Sequence, residues 1–273
     1  FLVAKLGLEE FTRLVEKERQ QLPHDDGWTN YLDDVRGWSE KPKKDTSSLM
    51  DLDLPLGFDV WKSRNVQSQR QAGYNVVCIM LPLGDMSSHQ MRKLAEISDK
   101  YVGDNVRTTV EQNLLLRWVC ENDLPSLYME LKSIGLADPG AGTIIDITSC
   151  PGTDTCKLGI ASSRGLAAEL REMLTPRQME LDEAVKDLRI KISGCFNSCG
   201  QHHIADLGFY GNSRTFKGYK VPHFQVVLGG KWSGNAGEFG LAMGAVPSKN
   251  IPKVVIKLTE YYVDNRKNTN ESF

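Results

Sequence analysis

Six cysteines stand in the 273-residue chain, and four of them fall in two close pairs, Cys150 with Cys156 and Cys195 with Cys199. A thiolate is a nucleophile, a redox partner and a soft metal ligand, so spacing must decide among these chemistries. The pairs read C-x5-C (Cys150-Pro-Gly-Thr-Asp-Thr-Cys156) and C-x3-C (Cys195-Phe-Asn-Ser-Cys199). Structural zinc favours C-x2-C knuckles that pinch around one ion, and neither pair has that spacing. A cubane [4Fe–4S] cluster is larger, takes thiolates at separate iron corners and accepts wider loops. Zinc and a redox or free-thiol role stay open as the other readings. Without a secretion signal, a disulfide framework is the weaker one. Pro151 and Phe196, each just after a cysteine, are expected to keep water off the sulfurs. Gly152, Gly194 and Gly200 permit close backbone approach, whose N–H groups can reach cluster sulfur. Cys78 and Cys120 lie in strand-like runs and read as core.

The loops need strands to hold them. Thr143–Thr148 and Leu188–Ile192 are predicted strands, each ending just before a cysteine pair, and a helix over Ile160–Leu174 links them. Side by side in one sheet, their ends bring four thiols together. Further strands are expected at Ile204–Tyr210 and Pro222–Leu228, with a closing helix Asn250–Asn265 that carries Pro252 in its first turn. Upstream, a strand Tyr74–Leu81 precedes a helix capped by Ser87 or Ser88 and running to Tyr101. Strands Asn105–Val110 and Asn113–Val119 and a helix Leu124–Ile134 follow. This β-α-β-β-α order is half of a split ferredoxin-like layout. Residues 1–20 read as one amphipathic helix. Residues 21–57, with Pro23, Pro42 and Pro55, read as an extended connector that wraps another domain and buries Trp28, Tyr31 and Trp38. The fold class is α+β, with segments 1–20, 21–59 (connector), 60–138 (ferredoxin-like half-domain), 139–265 (larger α/β domain) and 266–273 (tail).

Hydrophobic residues are 40% and charged residues 25%, as in ordinary globular chains, which excludes wholesale disorder. A net charge of -2 offers no basic surplus for nucleic acid. No apolar run approaches roughly 18 residues, so no membrane span is expected and the setting is read as cytoplasmic. The chain begins at Phe1, inside an amphipathic pattern, which reads as a piece of a longer polypeptide or a processed product.

Taken together, the motifs resemble the sirohaem and [4Fe–4S] signature of the nitrite/sulfite reductase family. Ser193-Gly-Cys-Phe-Asn-Ser-Cys-Gly200 is similar to that family's T/S-G-C-P-N-x-C-G, with Phe196 in place of its usual Pro. Arg107-Thr-Thr-Val-Glu-Gln-Asn113 resembles R-x-T-x-x-Q-N, and Leu228-Gly229-Gly230 resembles an L-G-G turn. The resemblance implies a six-electron reduction of sulfite to sulfide or nitrite to ammonia, with ferredoxin or a flavoprotein as donor. It implies that Cys150, Cys156, Cys195 and Cys199 hold the cluster and that Cys199 bridges to sirohaem. It also implies a first half upstream of residue 1, ending in the opening helix and carrying most substrate-side Arg and Lys.

Lys157 and Arg164 are then candidates to meet a sirohaem carboxylate, against simple surface solvation. Arg107 is a candidate to touch the cofactor. Asn197, between two ligands, either donates to the cluster or caps its loop. Gly229 and Gly230 serve either a tight turn or an approach to the macrocycle. His202 and His203 read as hydrogen-bonding or packing residues, because the resemblance fills the proximal position with thiolate. The alternatives are an Fe–S electron-transfer or zinc-stabilised module, and a precorrin-3B-synthase-like enzyme on the same scaffold.

Overall fold

In the computed structural model, which describes residues 2–25, 27–37, 39–46, 54–178, 180–233, 237–268, 271 and 273, residues 1–41 and 42–273 form separate units. The first unit holds helices α1 (Leu2–Leu6), α2 (Leu8–Gln21) and α3 (Gly27–Gly37). The single opening helix expected from the sequence is broken at Gly7, whose φ of 82° is open to glycine and strained for other residues. The extended connector is also corrected. Asp25 accepts the Gly27 N–H on its side chain and the Trp28 N–H on its carbonyl, and that local turn starts α3. Trp28 and Tyr31 are more than half exposed instead of buried. Trp38 lies outside the described residues.

The second unit begins with Pro42, and here the connector does lie on its neighbour. The Lys44 carbonyl accepts the Tyr74 hydroxyl at 2.9 Å, and Lys44 Nζ pairs with Asp123. Helix α4 (Phe58–Asn65) and strand β1 (Val66–Ser68), neither foreseen, lead into β2 (Tyr74–Ile79), α5 (Ser88–Tyr101), β3 (Val106–Thr108), β4 (Leu114–Cys120) and α6 (Leu124–Ser133). Ser87 starts α5 by accepting the Gln90 N–H while the Gln90 side chain accepts its own N–H, a reciprocal cap. The sheet is antiparallel in the order β1-β2-β4-β3. Val77, Ile79, Leu116 and Val119 on one face pack against Leu94, Ile97, Leu127 and Leu131 of the two helices, with Trp61 fully buried beside them. The alternate face carries Val76, Cys78 and Leu115.

The larger part of this unit holds β5 (Thr148–Ser149), α7 (Ser163–Leu174), α8 (Glu183–Lys186), β6 (Ile190–Ser193), β7 (Leu207–Phe216), β8 (Tyr219–Leu228), β9 (Leu241–Pro247) and α9 (Ile251–Asn265). The sheet order is β5-β6-β7-β8-β9, with β5, β6 and β7 parallel and the rest antiparallel. Of the strand expected at Thr143–Thr148, only its end survives. Thr143 and Asp146 satisfy their N–H groups in local turns, on Gly140 and Thr143, and Ile144 donates to Lys186. The apolar side chains Ile144, Ile145 and Ile147 still enter the core, so burial does not require strand geometry there. Strand β9 was hidden by its glycine-rich approach. The β7–β8 hairpin is longer than expected because Lys217 and Gly218, both at positive φ, form a two-residue turn.

Alternation along β6 decides what faces the site. Ile190 and Ile192 enter the core with Leu166, Leu170 and Val255 of the covering helices. Lys191 and Ser193 point to the opposite face, beside Gly208 and Tyr210 of β7 in register. That face is polar yet buried, and both cysteine loops leave from its edge.

Candidate metal centre

Cys150 follows β5 directly. Its N–H donates to the Ile192 carbonyl of β6 at 3.1 Å, which extends the parallel ladder into the loop. Its sulfur accepts the Gly194 N–H at 3.0 Å and lies 3.3 Å from Ser163 Oγ, at the start of α7. Ser163 in turn donates to the Cys150 carbonyl at 2.7 Å. The second loop is gripped from the first: Ile160 and Ala161 both donate to the Gly194 carbonyl, at 2.8 and 3.0 Å. A Cβ on Gly194 would stand 2.6 Å from Gly152 Cα, so the loops meet backbone to backbone. The structure therefore interlocks the C-x5-C and C-x3-C loops across 44 residues of sequence.

Cys150 and Cys195 are buried, whereas Cys156 and Cys199 are exposed. Among the described residues, no three His, Cys, Asp or Glu side chains converge as ligands of a metal ion. A zinc-type site would need four donors about 2.0–2.3 Å from one point. A cubane sets its thiolates at separate corners, and a donor set of four thiols on two interlocked loops suits it.

The R-x-T-x-x-Q-N stretch works through residues the sequence reading did not single out. Gln112, at φ 67°, accepts the Ser149 N–H at 3.1 Å and donates to the Ser149 carbonyl at 2.9 Å, bracketing the residue before Cys150. Asn113 Nδ2 donates to both oxygens of buried Asp146 at 3.0 Å, and Gly142 N–H adds a third bond at 2.8 Å. Burial pushes the Asp146 carboxyl above its ordinary value against the pull of those bonds. The signal was present, since both residues lie inside the quoted motif. Arg107 donates to the Val106 carbonyl on β3.

The remaining candidates divide. Arg164 is engaged by Asp85, Asp154 and the Leu83 carbonyl. Lys157 and Asn197 are exposed. Pro151 and Phe196 are exposed as well, Phe196 by 68%, so neither covers a sulfur within this chain. Gly230 packs on the backbone of 203–205, where a Cβ would meet the His203 carbonyl at 2.5 Å, and Gly229 takes φ 75° in open space. Cys120 is buried and Cys78 half-buried, its thiol pushed up to about 12 chiefly by burial. Lys191, 2% exposed, donates to Gln201 Oε1 at 3.0 Å, and burial lowers its pKa. Nothing in the local sequence of Lys191 marks it, because an alternating strand with a lysine reads as half-solvated.

With this geometry established, comparison with known proteins identifies the class. Residues 67–134 match the nitrite/sulfite reductase ferredoxin-like half domain, and residues 140–272 match the nitrite and sulphite reductase 4Fe-4S domain. The chain belongs to the nitrite/sulfite reductase family. It is 31% identical over 201 residues to ferredoxin–nitrite reductase of Synechococcus elongatus, covering 72% of this chain and 38% of that protein. It is 27% identical over 282 residues to sulfite reductase [ferredoxin] 1 of Mycolicibacterium paratuberculosis, covering all of this chain and 45% of that one. The fold also matches the Mycobacterium tuberculosis NirA protein, with TM-score 0.71 and 24% identity over 99% of this chain and 46% of that one. The chain thus spans less than half the length of these relatives. No helix among the described residues is long and apolar enough to cross a membrane.

Proposed function

We propose that this chain is the cluster-bearing part of a sirohaem-dependent reductase that takes nitrite to ammonia or sulfite to sulfide with six electrons from ferredoxin. The observation that carries the reading is the interlock of the two cysteine loops at the ends of β5 and β6. Cys150, Cys156, Cys195 and Cys199 would hold a [4Fe–4S] cluster, and Cys199 would also ligate sirohaem iron. When bound, the coupled pair supplies successive electrons to one iron, so partly reduced nitrogen or sulfur stays in place.

The chain's own residues do the holding. Gly194 N–H and Ser163 Oγ lie against Cys150 sulfur, and Gln112 holds both backbone groups of Ser149 at the end of β5. Cys156 and Cys199, exposed at the loop edge, leave a side of the site open to a macrocycle. Arg164 is paired with two carboxylates; in this reading the cations that neutralise the anion and deliver protons would come from a further segment of the protein, as the family resemblance implies. Relatives considerably longer than this chain support such a segment. Matches to reductase domains support this reading over a biosynthetic enzyme on the same scaffold.

The test is anaerobic purification of the intact protein with iron, acid-labile sulfide and absorption measured on one sample, followed by turnover with reduced ferredoxin. About four iron and four sulfide per chain, with a red chlorin band and reduction of nitrite or sulfite, is expected. Zinc without sulfide, or a cluster without chlorin or turnover, would overturn the reading. The ratio of the two rates assigns the substrate.

A further inference from the structure

Ser193 ends β6 and is 1% exposed. Its hydroxyl oxygen accepts the Gly200 N–H at 3.0 Å and lies 2.8 Å from His202 Nδ1. The loop that leaves at Gly194 therefore returns onto the residue it left from. Gly200 is clamped there, since a Cβ would stand 2.1 Å from the Ile192 carbonyl oxygen. Two side chains in the left-handed region flank Cys199 and Gly200: Ser198 and Gln201, each at φ 60°. Such backbone costs energy in a non-glycine residue and persists where surrounding contacts over-determine it. The contacts are visible. Gln201 N–H donates to the Ser198 carbonyl at 2.8 Å, and Lys191 Nζ holds the Gln201 side chain.

His202 is fully buried, with its ring 4.7 Å from that of Tyr210 and 4.0 Å from that of His203. Its Nε2 is buried without a partner, so its one hydrogen bond is to Ser193. A buried imidazole with a single bond is an expensive way to fill space, and an aliphatic residue would fill it without leaving a polar atom unpaired.

We infer that Ser193 and His202 form a positioning latch that sets the backbone of Cys199 through Gly200, and so fixes where that thiol meets its ligand. The inference rests on the reading of Cys199 as the bridging cysteine. The latch works by geometry. Ser193 Oγ has room for one N–H from Gly200 and one bond with His202, and the buried imidazole, packed between the His203 and Tyr210 rings, allows the hydroxyl one orientation. With the Gly200 amide fixed, the preceding residue has little freedom in ψ, and its exposed side chain is aimed from a rigid base.

The test uses Ser193→Ala, Ser193→Thr and His202→Leu in the intact, cofactor-loaded protein. Iron and sulfide content, the chlorin band and its reduction potential, and amide exchange at Gly200 are read. In Ser193→Ala the chlorin band and potential shift while iron is retained, and Gly200 exchanges about fivefold to tenfold faster, as loss of one hydrogen bond allows. Ser193→Thr, which keeps the hydroxyl, restores both. His202→Leu keeps the packing and reproduces the alanine spectrum. A wild-type band, potential and Gly200 exchange in Ser193→Ala or His202→Leu overturns the latch, as does a threonine variant no better than alanine. If the unmutated protein carries no chlorin, the reductase reading fails. Gly200 exchange then decides the latch alone: acceleration in Ser193→Ala upholds it, and an unchanged rate refutes it.

Discussion

Replacing Gly200 with alanine should loosen both cysteine loops at once. The added Cβ would stand 2.1 Å from the Ile192 carbonyl oxygen and 2.8 Å from its carbon, more than an ångström inside ordinary contact with the former. Neither side yields cheaply. Ile192 is fully buried in a parallel ladder, and its carbonyl also accepts the Cys150 N–H at 3.1 Å. Gly200 is held by Ser193 at 3.0 Å. Overpacking of this kind costs about 1–3 kcal/mol, and a hydrogen bond lost at Cys150 or Ser193 adds about 1 kcal/mol. A total of about 2–4 kcal/mol in a unit of this size lowers the melting temperature by roughly 5–15 °C. The assay is thermal unfolding with iron analysis of the same preparations, using Gly244→Ala as control because nothing lies within 4 Å of its Cβ position. The expected result is a lowered transition and reduced iron in Gly200→Ala and wild-type behaviour in the control. A Gly200→Ala protein that melts with the wild type and keeps its iron would refute the claim that this backbone contact couples the loops.

Three more outcomes are expected. Cys199→Ser abolishes nitrite and sulfite reduction in the intact protein, whereas Cys120→Ser, in the ferredoxin-like core, leaves iron and activity in place; activity and iron assays check both. Gln112→Ala removes two hydrogen bonds to Ser149 and lowers stability by about 2 kcal/mol, read by urea denaturation. Burial, with His203 beside it, lowers the His202 pKa from 6.5 to about 4. The unfolded chain therefore takes up a proton that the folded chain refuses as pH falls through this window. His202 thus contributes stability above pH 6.5 that is lost progressively toward pH 4, by up to about 3 kcal/mol. Denaturation of wild type and His202→Asn at several pH values isolates this slope, since the raised pKa values of Asp146 and Asp206 act in the opposite direction in both proteins. Equal slopes would refute the assignment.

Most helices were legible because their signals are local. Ser87 with Gln90 caps α5, Pro252 opens α9, and apolar spacing marks α7. Strand pairs with strong alternation, β2 and β4, were legible for the same reason. The misses fall where tertiary contacts replace the local rule. Ile144, Ile145 and Ile147 are apolar enough for a strand, but the Asp146 carboxylate, tied to Asn113 and Gly142, turns the chain there. Proline in 21–57 suggested extension, yet Pro23 lies before α3 and does not interrupt it. Strand β9 carries Gly244 and a glycine-rich approach, and it forms because β8 offers an unpaired edge.

At the site, residue type and spacing alone single out the four cysteines as candidate ligands and favour a cluster over zinc, because thiolate chemistry and loop width are properties of the chain. They determine which segments lead into each loop for the same reason. Tertiary structure decides which thiols are buried and which lie at the rim, since burial depends on what packs above. It also decides that Arg164 is committed to carboxylates at positions 85 and 154, that Gln112 brackets the residue before Cys150, and that Ser193, Gly200 and His202 close on one another. Those are contacts between segments distant in sequence or brought back by a loop, and a hydrogen bond of 3 Å is set by where two backbones are held, which no local pattern encodes.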